Sequence, residues 1–175
     1  RLVSSNHYLA NLLGLLVIGA VFPGNVRAQA WRRFAQGEFP RALLAQTRRD
    51  GGLAEASLRY HAFVAEMALL FRLALGSPLP HGAEARLRDM CRIVADFQDA
   101  TGDVFAIGDD DSGRILALDF ASPMGRADIL LRLASSLVGE EFKTWPGAVC
   151  LESGWWVQRA GDFALALDFG GVGLH

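Results

Sequence analysis

"AEASLRYHAFVAEMALLFRLAL", residues 54–75, is the stretch on which the fold reading turns. Tyr60, Phe63, Val64, Met67, Leu70, Phe71 and Leu75 recur at three- and four-residue spacing, which predicts a helix over 54–75 with one apolar stripe. "GSPLPHG" (76–82) ends it. The start of the stretch, "EASLRYH" (55–61), is a polar knot. Taken singly, its members are ordinary. Tyr60 continues the stripe and reads as core. Glu55 reads as a first-turn acid favoured by the helix dipole. His61 reads as a surface or half-buried residue.

Helices are expected on both sides of this stretch. "SSNHYLANLLGLLVIGAVF" (4–22) is apolar after its first turn, can be capped by Ser4 or Ser5, and stops at Pro23-Gly24. Val26, Trp31, Phe34, Phe39, Leu43 and Leu44 predict a second helix over 26–46, weakened by Gly37 and Pro40. "RRDGG" (48–52) is a turn. A further helix fits 83–99, with Leu87, Met90, Cys91, Val94 and Phe97 inward, and another fits 124–139. Residues 101–119 read as loop and short strands. Two β-patterned runs, 155–159 and 163–169, flank the turn Ala160-Gly161-Asp162. The expected fold is therefore mainly α with a β tail: antiparallel helix hairpins, then the start of an antiparallel sheet.

Composition narrows the function classes. Hydrophobic residues make up 51% and charged residues 21% of 175, enough for a packed core. Lys and Arg number 17 against 19 acids, a net charge of −2 without a basic run, which argues against nucleic acid as a partner. Cys91 and Cys150 lie far apart with no CxxC, fitting neither a zinc site nor a disulfide scaffold, though a single bridge stays open. The apolar start followed by "VRAQA" imitates a signal peptide cleaved at Ala28–Ala30. Asn6, His7 and Asn11 interrupt that run, and the uninterrupted part, Leu12 to Phe22, is too short to span a bilayer. A buried helix fits better. Arg1 at the start and "LDFGGVGLH" at the end give the chain the look of an internal fragment.

Two other polar knots bear on chemistry. The first turn of the opening helix carries Asn6 and His7, an amide and an imidazole on an apolar segment. "GDDDSGR" (108–114) has consecutive acids but lacks the Gly and distal Glu of an EF-hand loop. Its expected role is a turn whose carboxylates cap backbone amides and pair with Arg114. No metal-ligand set is visible.

The order of these knots, "SSNHYLANLLGLL", "DGGLAEASLRYHAFVAEMALL", "FAIGDDDSGRIL" and a β-run ending "DFGGVGLH", resembles the heparinase II/III-like polysaccharide lyases. The resemblance covers essentially the whole chain. It implies an incomplete α/α toroid over 1–140, followed by the first strands of a β-sandwich over 141–175. It also implies a periplasmic or secreted location, an acidic polysaccharide as partner, and no cofactor. Residue by residue, it maps the family's Asn-His pair onto Asn6 and His7 and the catalytic tyrosine onto Tyr60, with Glu55 and His61 beside them as candidate substrate contacts. A further catalytic histidine from the β-domain falls at or near His175. Leu53, two before Glu55, stands where an aromatic or histidine is more usual, a departure that bears on substrate subtype.

Lyases of this kind cut a uronate polymer by β-elimination: the C5 proton leaves, the C4–O bond breaks, and an unsaturated uronate results. Neutralising the sugar carboxylate stabilises the enolate-like intermediate, a task suited to an amide and an imidazole at a helix start. Tyr60 would be base, acid or both. Two other classes remain open at this level. One is a non-catalytic glycan-binding or capsule-associated protein. The other is a glycoside hydrolase using Glu55 and Asp109.

Overall fold

The computed structural model describes residues 5–111, 113–115 and 124–170. Within these, five helices precede three strands. Helix α1 (Asn6–Val21) and helix α2 (Val26–Gln46) form the most closely packed helix pair. Asn25 starts α2, its Oδ1 accepting the Ala28 N–H at 3.0 Å. A Cβ on Gly19 would lie 2.4 Å from Arg32 Cβ and 2.8 Å from the Ala28 carbonyl, so glycine sets how near the two helices come. Pro40 does not break α2. It is buried on the inward face with Ala35, Phe39 and Leu43, and the Phe39 ring stacks on Phe71 at 3.9 Å between centroids. Burial of that face outweighs the lost backbone hydrogen bond.

Helix α3 (Leu58–Leu75) is the central element, packed against α1, α4 (Ala83–Asp96) and α5 (Arg126–Val138). It begins four residues later than the periodicity predicts. Ser57 Oγ caps the Tyr60 N–H at 3.1 Å, and Ala56 has a left-handed φ of 55°, which a helix excludes. Its burial also differs from the expected stripe. Leu58, His61, Ala65 and Leu69 are buried together with Val64, Met67 and Phe71, whereas Tyr60, Phe63 and Leu70 are half-buried. With helices on several sides, apolar burial no longer follows one face. The α4 positions Leu87, Met90, Cys91 and Val94, with Phe97 just beyond, are inward as expected.

Strands β1 (Gly147–Cys150), β2 (Trp155–Ala160) and β3 (Phe163–Asp168) form an antiparallel sheet in that order. β1, a four-residue strand beginning at glycine, was not expected from the sequence. Cys150, Trp155 and Val157 face the helices, while Phe163, Leu165 and Leu167 are exposed on the other face. Trp155 is fully buried, edge-on to His61 at 5.7 Å and to Phe97 at 6.2 Å. The turn at 48–52 is the joint. Asp50 accepts Ser153 N–H and Ser153 Oγ–H, each at 2.7 Å, and a Cβ on Gly52 would lie 1.8 Å from Ser153 Oγ. Cys91 and Cys150 are both free and buried. No helix among the described residues is long and apolar enough to cross a membrane.

Candidate functional site

The site grows from two helix starts held by one short segment. Ser5 occupies the N-cap position of α1 but makes no side-chain capping bond. Glu55 does that work from 49 residues away: Oε1 accepts the Asn6 backbone N–H at 3.1 Å and Oε2 accepts Asn6 Nδ2–H at 3.0 Å. The expectation that Glu55 serves its own helix is thus corrected, because the carboxylate meets the positive end of α1 instead. Asn6 is buried, and His7 beside it is exposed.

Two residues after Glu55, Ser57 opens α3. Its hydroxyl also donates to the Asp109 carbonyl at 2.6 Å, and Leu58 N–H donates to the Ile107 carbonyl at 3.0 Å. Gly108 makes this junction possible. Its φ is 77°, and a Cβ there would stand 2.7 Å from the Ala56 carbonyl. The acidic turn is thereby fastened over the first turn of α3. Arg59 pairs with Asp103 and reaches Asp110 at 3.9 Å.

Tyr60 lies half-buried under this turn. Burial, then the charge and hydrogen bond of Asp111, then the charges of Asp109 and Glu55, raise its pKa above the ordinary phenol value. Asn6, Glu55 and Tyr60 therefore share one neighbourhood. The sequence reading missed the Tyr60–Asp111 and Arg59–Asp103 contacts, since partners so distant in sequence leave no local signal.

His61 is not part of that neighbourhood. It is fully buried, with Nε2 at 3.0 Å from the Met90 carbonyl and its ring edge-on to Trp155. Burial lowers its pKa to about 4. The expectation of a surface or substrate-contacting histidine is corrected, because the ring belongs to the packing between α3, α4 and the sheet. Tyr60 and His61, adjacent in sequence, point about 100° apart around the helix, so one reaches the rim and the other the core. His175 lies outside the described residues. Among the described residues no cluster of His, Cys, Asp and Glu is arranged to hold a metal ion.

A family model for the heparinase II/III N-terminus matches residues 2–97. The chain belongs to the heparinase II/III family. The matched segment contains α1 to α4, and with them Asn6, His7, Glu55 and Tyr60. The acidic turn, α5 and the sheet follow it. No curated protein and no solved structure matches the chain.

Proposed function

We propose that this heparinase II/III-family protein is a polysaccharide lyase that cleaves a uronic-acid-containing glycan by β-elimination. The observation that carries the reading is that Glu55, which holds Asn6 by two hydrogen bonds, lies near enough to Tyr60 for its charge to act on the phenol, within a segment that matches the family. In this reading Asn6 and His7 hold the sugar carboxylate at the start of α1. The stabilised enolate is the source of the rate enhancement.

Tyr60 then acts as the proton donor to the leaving C4 oxygen. Ionising a free tyrosine at neutral pH costs about 4 kcal/mol. Here burial and the acids around the hydroxyl raise that cost, so the phenol form is favoured. The base would be a histidine of the β-domain, for which the family resemblance offers His175 or a residue near it. His61 is excluded by its burial. The same resemblance supports a periplasmic or secreted location.

A second reading has a specific observation behind it. Acids crowd the tyrosine that would donate the proton, an arrangement compatible with a glycan-binding protein that turns nothing over. The test is an assay of the intact protein against heparan sulfate and alginate, following ultraviolet absorbance of the unsaturated uronate. Product formation supports the lyase; binding without product, measured calorimetrically, supports the second reading.

A further inference from the structure

Glu55 precedes α3 but faces α1, and the way the chain achieves this points to a role. A carboxylate only accepts hydrogen bonds, so the nitrogen and not the oxygen of the Asn6 carboxamide must face it. That fixes the orientation of the amide and leaves its oxygen and one N–H for another partner. Between Glu55 and the Ser57 cap stands Ala56, in a left-handed conformation that L side chains rarely adopt. It is held there by its N–H to the Leu53 carbonyl (3.2 Å), by the Ser57 bonds to Tyr60 N–H and the Asp109 carbonyl, and by Gly108 packed on its own carbonyl. One strained residue thus turns Glu55 toward α1 while Ser57 begins α3. The first turns of both helices hang from the same three residues.

We propose that Glu55 is a positioning residue: it clamps the Asn6 carboxamide and the first amide of α1, and so sets Asn6 at a fixed place relative to Tyr60. What the carboxamide then holds, a uronate carboxylate, rests on the lyase reading above; the clamp itself does not. Glu55 touches no reacting atom in this account. It acts through Asn6, and a misplaced binding group can cost about 10²-fold in rate.

The experiment is a double-mutant cycle in the intact protein, with Glu55→Gln and Asn6→Ala. Glutamine keeps the shape but offers one acceptor oxygen in place of two, so one of the two Asn6 donors loses its partner. Glu55→Gln is expected to lower turnover by up to about 10²-fold, and to have no further effect once Asn6 is alanine. Losses that multiply, or no loss from Glu55→Gln, overturn the proposal.

If Asn6→Ala itself leaves turnover unchanged, the assignment of Asn6 to the substrate fails, and the clamp is judged by a measurement that needs no substrate. The chain has three asparagines, so the Asn6 side-chain amide can be identified by NMR as the signal lost in Asn6→Ala. Its hydrogens should exchange slowly in the wild type and faster in Glu55→Gln. Equal exchange rates overturn the clamp. Should Glu55→Gln not fold, Glu55→Asp serves, since it keeps both acceptors but withdraws them by one methylene. Faster exchange is expected there too, and unchanged exchange again counts against the proposal.

Discussion

Tyr60 and His61 follow one another on the first turn of α3 and live in different chemistries. Tyr60 is at the rim, half-buried, with Asp111, Asp109 and Glu55 near its hydroxyl. His61 is in the joint, sealed between the Met90 carbonyl and Trp155. Each group is held in its neutral form. For the phenol this means a pKa above the ordinary value, and for the imidazole a pKa below it. Burial pushes the two in opposite directions because the charged forms are opposite in sign. The difference teaches that a titratable motif residue is assigned by where its helix face points. Two adjacent polar residues divide between a site and a core.

The largest expected effect separates the two regions by activity. Tyr60→Phe keeps the ring and removes the hydroxyl. If Tyr60 donates the proton, turnover on a verified uronate substrate should fall by about 10²–10⁴-fold with the fold intact. If the hydroxyl only bonds Asp111, the change should cost about 1 kcal/mol of stability and leave turnover alone. Wild-type turnover in that variant would move Tyr60 to the side of His61.

The next effect belongs to the joint and is read as stability against pH. The folded pKa of His61, about 4, lies below its unfolded value near 6.5. The neutral ring is therefore a source of stability that is fully present above about pH 6.5 and lost as pH falls toward 4, because the unfolded chain takes up the proton first. The shift corresponds to about 3 kcal/mol. Urea unfolding at about pH 7 and pH 4 should show this loss in the wild type. In His61→Gln, which can still donate to the Met90 carbonyl, the loss should shrink by that amount. An unchanged pH dependence would remove His61 from the joint.

Most of the helical architecture was legible in the sequence, and the reasons are local. Gly76, with φ 76°, ends α3 where the break was expected, and the inward positions of α4 follow a 3.6-residue period. What was illegible depended on contacts distant in sequence. Nothing near Glu55 announces that its partner is Asn6, 49 residues earlier. Nor does the stripe on α3 disclose that three helices surround it, so His61, taken alone, reads as surface and Tyr60, taken alone, as core. β1 is four residues long, and its pairing with β2, not its own pattern, makes it a strand.

A smaller effect probes the other half of the joint. The Asp50 carboxyl is raised by burial, but the bonds from Ser153 and Gly52 outweigh that and hold it below the usual carboxylate range. Ser153→Ala deletes the hydroxyl donor and keeps the backbone one. Stability at neutral pH should fall by about 1–2 kcal/mol, with turnover unchanged because neither residue reaches the rim. A selective loss of turnover would show that the joint and the site are coupled.

The smallest effect tests the rim's electrostatics alone. Asp111→Asn removes a charge beside Tyr60 while an amide can still accept from its hydroxyl. The phenol pKa should drop, yet the neutral form should still dominate near pH 7, so turnover there should change little. What should move is the alkaline limb of the pH–rate profile, toward lower pH, because the donor is lost sooner as pH rises. The chain contains two tyrosines, so the ring resonances of Tyr60 can be followed by carbon NMR and told from those of Tyr8 with Tyr60→Phe. Both measurements should shift in the same direction. If the resonance titrates lower but the alkaline limb stays fixed, Tyr60 sits where the structure places it and is not the donor. The proton would then come from another group, and the acids of the turn would serve only to fasten the first turn of α3.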